Sequence, residues 1–161
     1  MPRPLHIACL QTRPMPDFDS AITEALGLAE RAVAEGAELL CLPEYCGALV
    51  SRDGVIVPPS APEADHPALA ALRDFAASKQ VWMQVGSVAV DGPDGRIVNR
   101  GFLLDAGGGI RARYDKIHMF DIQLSETEVY RESTFVSPGS AAVIEETPWG
   151  SVGHTICYDL R

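Results

Sequence analysis

The chain has 161 residues, 47% of them hydrophobic and 22% charged, enough for one globular domain that buries roughly two thirds of its unfolded surface. A net charge of −9 with no basic stripe argues against nucleic acid as a partner, since a phosphate backbone calls for clustered Lys and Arg. Neither a membrane-length apolar run nor the apolar core of a secretory leader is present, so neither a membrane span nor a leader is expected.

Residues 5–11, Leu-His-Ile-Ala-Cys-Leu-Gln, are largely apolar and predict a strand, broken by Pro14 and Pro16. Asp17 or Asp19 is placed to cap a helix carrying Ile22, Leu26, Ala29 and Val33 on one face, and Gly36 supplies a left-handed stop. Leu39-Leu40-Cys41-Leu42, ended by Pro43, has the pattern of a strand buried on both faces. Strand, helix and strand together predict an α/β unit with a right-handed crossover. Residues 47–67 read as a loop containing Pro58, Pro59 and Pro62. Pro67 then opens a second helix with Leu69, Leu72, Phe75 and Ala76 facing inward, ending near Lys79. Residues 81–88 predict another buried strand. The turn Asp91-Gly92-Pro93-Asp94-Gly95 joins it to a strand over 97–105, and three glycines, 107–109, lead to one over 110–114. This meander makes the sheet mixed. A long polar stretch, 121–137, precedes a strand over 141–145 and a final one, Ser151 to Ile156, which delivers Cys157.

Three predicted strand ends carry chemistry. Glu44 follows the second strand, where partial burial raises a carboxyl pKa and suits it to proton transfer; a glutamate simply leaving the core is the plain alternative. Lys116 is one of only two lysines beside eleven arginines, and it lies between Tyr114-Asp115 and Ile117-His118-Met119-Phe120 rather than on a polar helix face. A cation there could stabilise an oxyanion; its alternative is a solvated strand-end lysine. Cys157 is either a nucleophile on an exposed turn or a small buried hydrophobe. The other cysteines, Cys9, Cys41 and Cys46, form no Cys-x-x-Cys pair; Cys9 and Cys41 read as strand packing, and reduced thiols point to the cytoplasm. A base, an ammonium and a thiol are the set an acyl transfer needs.

The segments that hold these residues, Leu42-Pro43-Glu44, the run from Tyr114 to Asp121, and Ile156-Cys157-Tyr158-Asp159-Leu160-Arg161, resemble the three signatures of the nitrilase (carbon–nitrogen hydrolase) superfamily, in the family's order. Tyr130-Arg131-Glu132-Ser133 followed by Pro138-Gly139 is a fourth match. The resemblance is nearest to the branch that includes omega-amidase and deaminated-glutathione amidase. It implies an α-β-β-α sandwich with mixed sheets, a Glu44–Lys116–Cys157 triad, and a second glutamate, Glu132, that holds the lysine near the substrate. It also implies dimerisation through helices near the nucleophile, and no metal or organic cofactor. On this reading the substrate is a small carboxylate-bearing amide, hydrolysed through a thioester with release of ammonia. The Tyr158 N–H would help hold the oxyanion, and Arg161 is a candidate for meeting the substrate carboxylate, or a solvent-facing arginine. Lys116→Ala and Cys157→Ala are expected to abolish ammonia release without unfolding a complete enzyme.

Rival readings stand beside this one, the serious one being no enzyme at all. Hydrolysis of an N-carbamoyl group needs the same triad. A Cys–His hydrolase would pair Cys157 with His118 or His154, but alternation turns His154 to the opposite face and His118 reads as a local hydrogen-bond partner. Metal ligation by Cys41, Cys46 and a histidine lacks close ligand pairs, and no Gly-x-Ser-x-Gly is present. Finally, residues 1–161 read as the N-terminal portion of a single hydrolase domain, ending just after the nucleophile, and such a portion could be inactive and serve only in association.

Overall fold

The computed structural model describes residues 4–52 and 55–160. In chain order the elements are β1 (Ile7–Cys9), α1 (Phe18–Ala34), β2 (Leu39–Cys41), β3 (Val50–Arg52), β4 (Val55–Val57) and α2 (Pro67–Lys79). There follow β5 (Trp82–Asp91), β6 (Ile97–Leu104), β7 (Ile110–Asp115), β8 (Asp121–Gln123), β9 (Val129–Arg131), β10 (Ile144–Thr147) and β11 (Gly150–Gly153).

The central sheet has the order β1-β2-β5-β6-β7. Its first three strands run parallel and β5, β6 and β7 antiparallel, so the sheet is mixed, as the meander predicts. Both helices cover one face, over Leu40, Met83, Val85, Phe102 and Leu104. The other face carries Leu39, Leu103 and Ala112, packed by Trp82, Val143 and Trp149. Trp82 and Trp149 meet edge to face at 5.7 Å, bringing the β10–β11 hairpin onto the sheet. Helices, sheet and hairpin thus stack as the α-β-β part of the expected sandwich.

Helix α1 starts where the acidic cap predicts: Asp17 accepts the Ser20 N–H at 2.8 Å, and Gly36, at φ +87°, ends the turn that follows. Its buried stripe is Ala21, Ala25 and Ala29, with Ile22, Leu26 and Val33 only half-buried beside it. The helix therefore seats on its smallest residues, which let its backbone approach α2 and the sheet, while the larger side chains flank the contact. Helix α2 buries Leu69, Leu72, Phe75 and Ala76 as its periodicity predicts.

Other segments depart from the sequence reading. The loop predicted over 47–67 contains the β3–β4 hairpin, and the polar stretch 121–137 contains β8 and β9. These strands are three residues long, too short to set a periodic pattern, and β9 is exposed throughout. The strand predicted over 141–145 lies at Ile144–Thr147, and the last strand leaves its ladder after Gly153. Cys9 is exposed rather than packed, because β1 is an edge strand whose outward side chains meet solvent; Cys41 is half-buried and Cys46 buried. Among the described residues no helix is long and apolar enough to cross a membrane.

Candidate active site

Glu44 is placed by a turn fastened to a bulge in β5. The register of β5 on β6 slips between Val85 and Val88. Within the slip, Gly86 leaves no room for a Cβ, which would strike the carbonyl oxygens of Leu42 and Pro43. Only glycine lets the two segments cross this closely. Ser87 completes the fastening. Its Oγ accepts the Tyr45 N–H at 2.9 Å, and its carbonyl accepts the Cys46 N–H at 2.9 Å. Tyr45 sits in the left-handed region, φ 52°, so the chain reverses directly after Glu44.

Lys116 continues β7 by one residue. Its N–H donates to the Asn99 carbonyl at 3.0 Å and its own carbonyl accepts the Gly139 N–H at 2.8 Å. The side chain is 2% exposed. Its Nζ donates to Glu44 Oε1 at 3.1 Å and to Glu132 Oε1 and Oε2 at 3.0 and 2.9 Å. Glu132 heads a short 3-10 turn (Glu132–Thr134), and its Oε2 also accepts the Phe120 N–H at 2.6 Å. Burial opposes the ammonium charge. The Glu132 hydrogen bonds and the two carboxylate charges outweigh it, so the Lys116 pKa stands above the ordinary lysine value.

Cys157 opens a 3-10 turn (Cys157–Leu160) with φ 48° and is exposed. The turn is clamped by Asp159. Its Oδ2 accepts the Tyr114 hydroxyl at 2.6 Å and the Ile156 N–H at 3.0 Å. Its Oδ1 accepts the N–H groups of Ile117 and His118 at 3.2 and 2.8 Å. One carboxylate thus joins the cysteine turn to the lysine loop. A cleft of about 310 Å³, lined by Leu42, Glu44, Gln84, His154, Ile156 and Cys157, brings acid and thiol to one surface. Burial, and then the Glu44 charge, push the Cys157 thiol pKa up; Lys116 pulls it down with less effect. Both upward effects favour the thiol over the thiolate, and Glu44 is the group beside it that can take its proton.

The structure thus brings Glu44, Lys116 and Glu132 into direct contact and sets Cys157 beside Glu44 in one cleft. The Tyr158 ring packs edge to face on Phe120 at 5.3 Å; Arg161 lies outside the described residues. The His118 ring meets Asp159 at 2.9 Å, the local role expected of it. His154 is buried at the edge of the cleft with neither ring nitrogen hydrogen-bonded, and among the described residues no hydrogen bond pairs it with Cys157. Asn99 and Asp159 were given no role by the sequence reading. A lone amide in the apolar run 97–105 was the available signal for the first. For the second there was only its place two residues after the cysteine. Among the described residues no group of three or more His, Cys, Asp or Glu is placed to hold a metal.

Residues 6–161 match the family described as carbon-nitrogen hydrolase. The chain belongs to the carbon-nitrogen hydrolase family. Similar proteins include the deaminated glutathione amidase of Yersinia enterocolitica, 42% identical over 101 residues, covering 60% of this chain and 35% of that protein. The chloroplastic omega-amidase of Arabidopsis thaliana is 29% identical over 161 residues, covering 97% of this chain and 43% of that one. In three dimensions the C. elegans NitFhit protein superimposes with a TM-score of 0.82 at 25% identity, over 96% of this chain and 38% of that one. The chain spans less than half the length of each of these proteins.

Proposed function

We propose that this carbon-nitrogen hydrolase chain carries the catalytic residues of an amidase that hydrolyses the terminal amide of a small carboxylate-bearing substrate. The supporting observation is the buried Lys116 ammonium, pinned between Glu44 and Glu132 where Glu44 shares a cleft with the Cys157 thiol. In this reading Glu44 takes the thiol proton, and sulfur attacks the amide carbon. Lys116 and the Tyr158 N–H face the oxyanion. Glu44 then protonates the leaving nitrogen, which departs as ammonia, and activates the water that hydrolyses the thioester. Glu132 holds Lys116 in place, and Arg161 is assigned to the substrate carboxylate. The working enzyme is taken to be a cytoplasmic homodimer that uses neither metal nor organic cofactor. Relatives named as amidases on omega-amides and deaminated glutathione support the choice of substrate class.

Two measurements test it. Ammonia release from an omega-amide should fall at least about a thousandfold in Cys157→Ala. A thiol-reactive amide should label Cys157 faster than Cys9, the other exposed cysteine. Turnover near the parent's in Cys157→Ala, or equal labelling of the two thiols, rules the assignment out.

A further inference from the structure

We infer that Asn99 divides the labour of the two Glu44 oxygens: Oε1 is a fixed anchor, and Oε2 is the atom that carries the proton. This rests on the reading of Glu44 as the proton carrier and goes beyond it by naming the atom and the residue that selects it. The Asn99 side chain is wholly buried. Its Nδ2–H donates to Glu44 Oε1 at 2.7 Å, and Lys116 Nζ donates to the same oxygen at 3.1 Å. Neither nitrogen can accept a hydrogen bond. A proton on Oε1 would therefore face two donors, and it goes to Oε2.

The amide orientation follows from the same logic, because the reverse would set Oδ1 against a carboxylate oxygen with no proton between them. In the orientation adopted, Asn99 Oδ1 is buried with no hydrogen-bond partner. An apolar side chain would leave no such orphan, so the residue is there for its donor. The Asn99 carbonyl also accepts the Lys116 N–H at 3.0 Å, so one residue aligns the ammonium through its backbone and the acid through its side chain. Asn99 is thus a positioning residue, one step removed from the substrate.

Each proton movement passes through Oε2. The S–H bond of Cys157 breaks and O–H forms at Oε2 as sulfur adds to the amide carbon. That proton moves to nitrogen as the C–N bond breaks. Water then adds to the thioester carbon and gives a proton to Oε2, which returns it to sulfur as the C–S bond breaks. With Asn99 gone, the carboxylate is free to turn both oxygens toward Lys116, as Glu132 does, and Cys157 loses its base.

The test is the single-turnover release of ammonia from an omega-amide at neutral pH, where Glu44 must both take and give the proton, in the parent, Glu44→Gln, Asn99→Leu and Asn99→Asp. Asn99→Leu keeps the volume and removes the donor; Asn99→Asp keeps the shape and replaces the donor with an acceptor. Both should slow the reaction about tenfold, in the direction of Glu44→Gln. In turnover kcat should fall about tenfold while KM stays within twofold, a split that a loss of packing would not give. Buried Cys46 reports folding: if iodoacetamide labels it in Asn99→Leu, Asn99→Asp decides by the same criteria. A single-turnover rate at or above the parent's, or a rise in KM with kcat unchanged, overturns the inference. If Glu44→Gln itself releases ammonia at the parent rate, the proposed function fails instead.

Discussion

Lys116 answers to two carboxylates, which changes what deleting it reports. The sequence reading expects Lys116→Ala to stop the chemistry and leave the fold alone. In the structure it would strand Glu44 and Glu132, one of them 9% exposed, with no cation between them. Removing one member of such a buried set costs about 3–5 kcal/mol, so Lys116→Ala should lower the denaturant midpoint as well as turnover, whereas Cys157→Ala should lower only turnover. An unchanged midpoint in Lys116→Ala would contradict the buried ion triad. The pH dependence has a definite sign. The folded pKa of Lys116 is raised, so its contribution to stability is complete below the free lysine value near 10.4 and fades as pH rises through the folded value. At this scale the sequence was informative about the charged residues. Glu44, Lys116 and Glu132 follow strand ends or motif positions, but the amide of Asn99 has no pattern of its own.

Among the elements, the turn after Ile156 is clamped by a side chain from outside the triad. Asp159 is 3% exposed and accepts from Tyr114, Ile156, Ile117 and His118. Hydrogen bonds to a charged group contribute about 1.5–3 kcal/mol each, so Asp159→Ala should cost at least about 3 kcal/mol. It should also speed amide exchange at Ile117, His118 and Ile156 together; unchanged exchange there would remove the clamp from the account. Burial works against the Asp159 charge, but its hydrogen bonds with Tyr114 and the backbone N–H groups prevail and its pKa is lowered. Its stabilisation is therefore present above the free aspartate value near 3.9 and is lost as pH falls through the lower folded value. The long periodic elements, α2 and the β5–β6–β7 meander, were legible because burial repeats along them. The alanine stripe of α1 was not, since hydrophobicity points to Ile22 and Leu26 while packing distance selects Ala21 and Ala25. The short hairpins β3–β4 and β8–β9 were hidden because three-residue strands are too short to show a period.

Across the whole molecule, the reactive groups hang on separate parts of one mixed sheet. The acid depends on the β5 bulge, the ammonium on β6 and β7, and the thiol on a turn held by Asp159 and by the Tyr158 ring on Phe120. The thiol's fastening is the most exposed, because the turn that carries Cys157 has no fully buried residue, whereas Cys46 is buried beneath the acid's turn. Local openings start at such places. In rising urea Cys157 should therefore lose its fast labelling before Cys46 gains any; simultaneous change at both thiols would show that the turn melts only with the core. The clamp then behaves as a safety catch. A nascent or half-unravelled chain would display a common surface sulfhydryl, and the aggressive form would exist only in finished molecules.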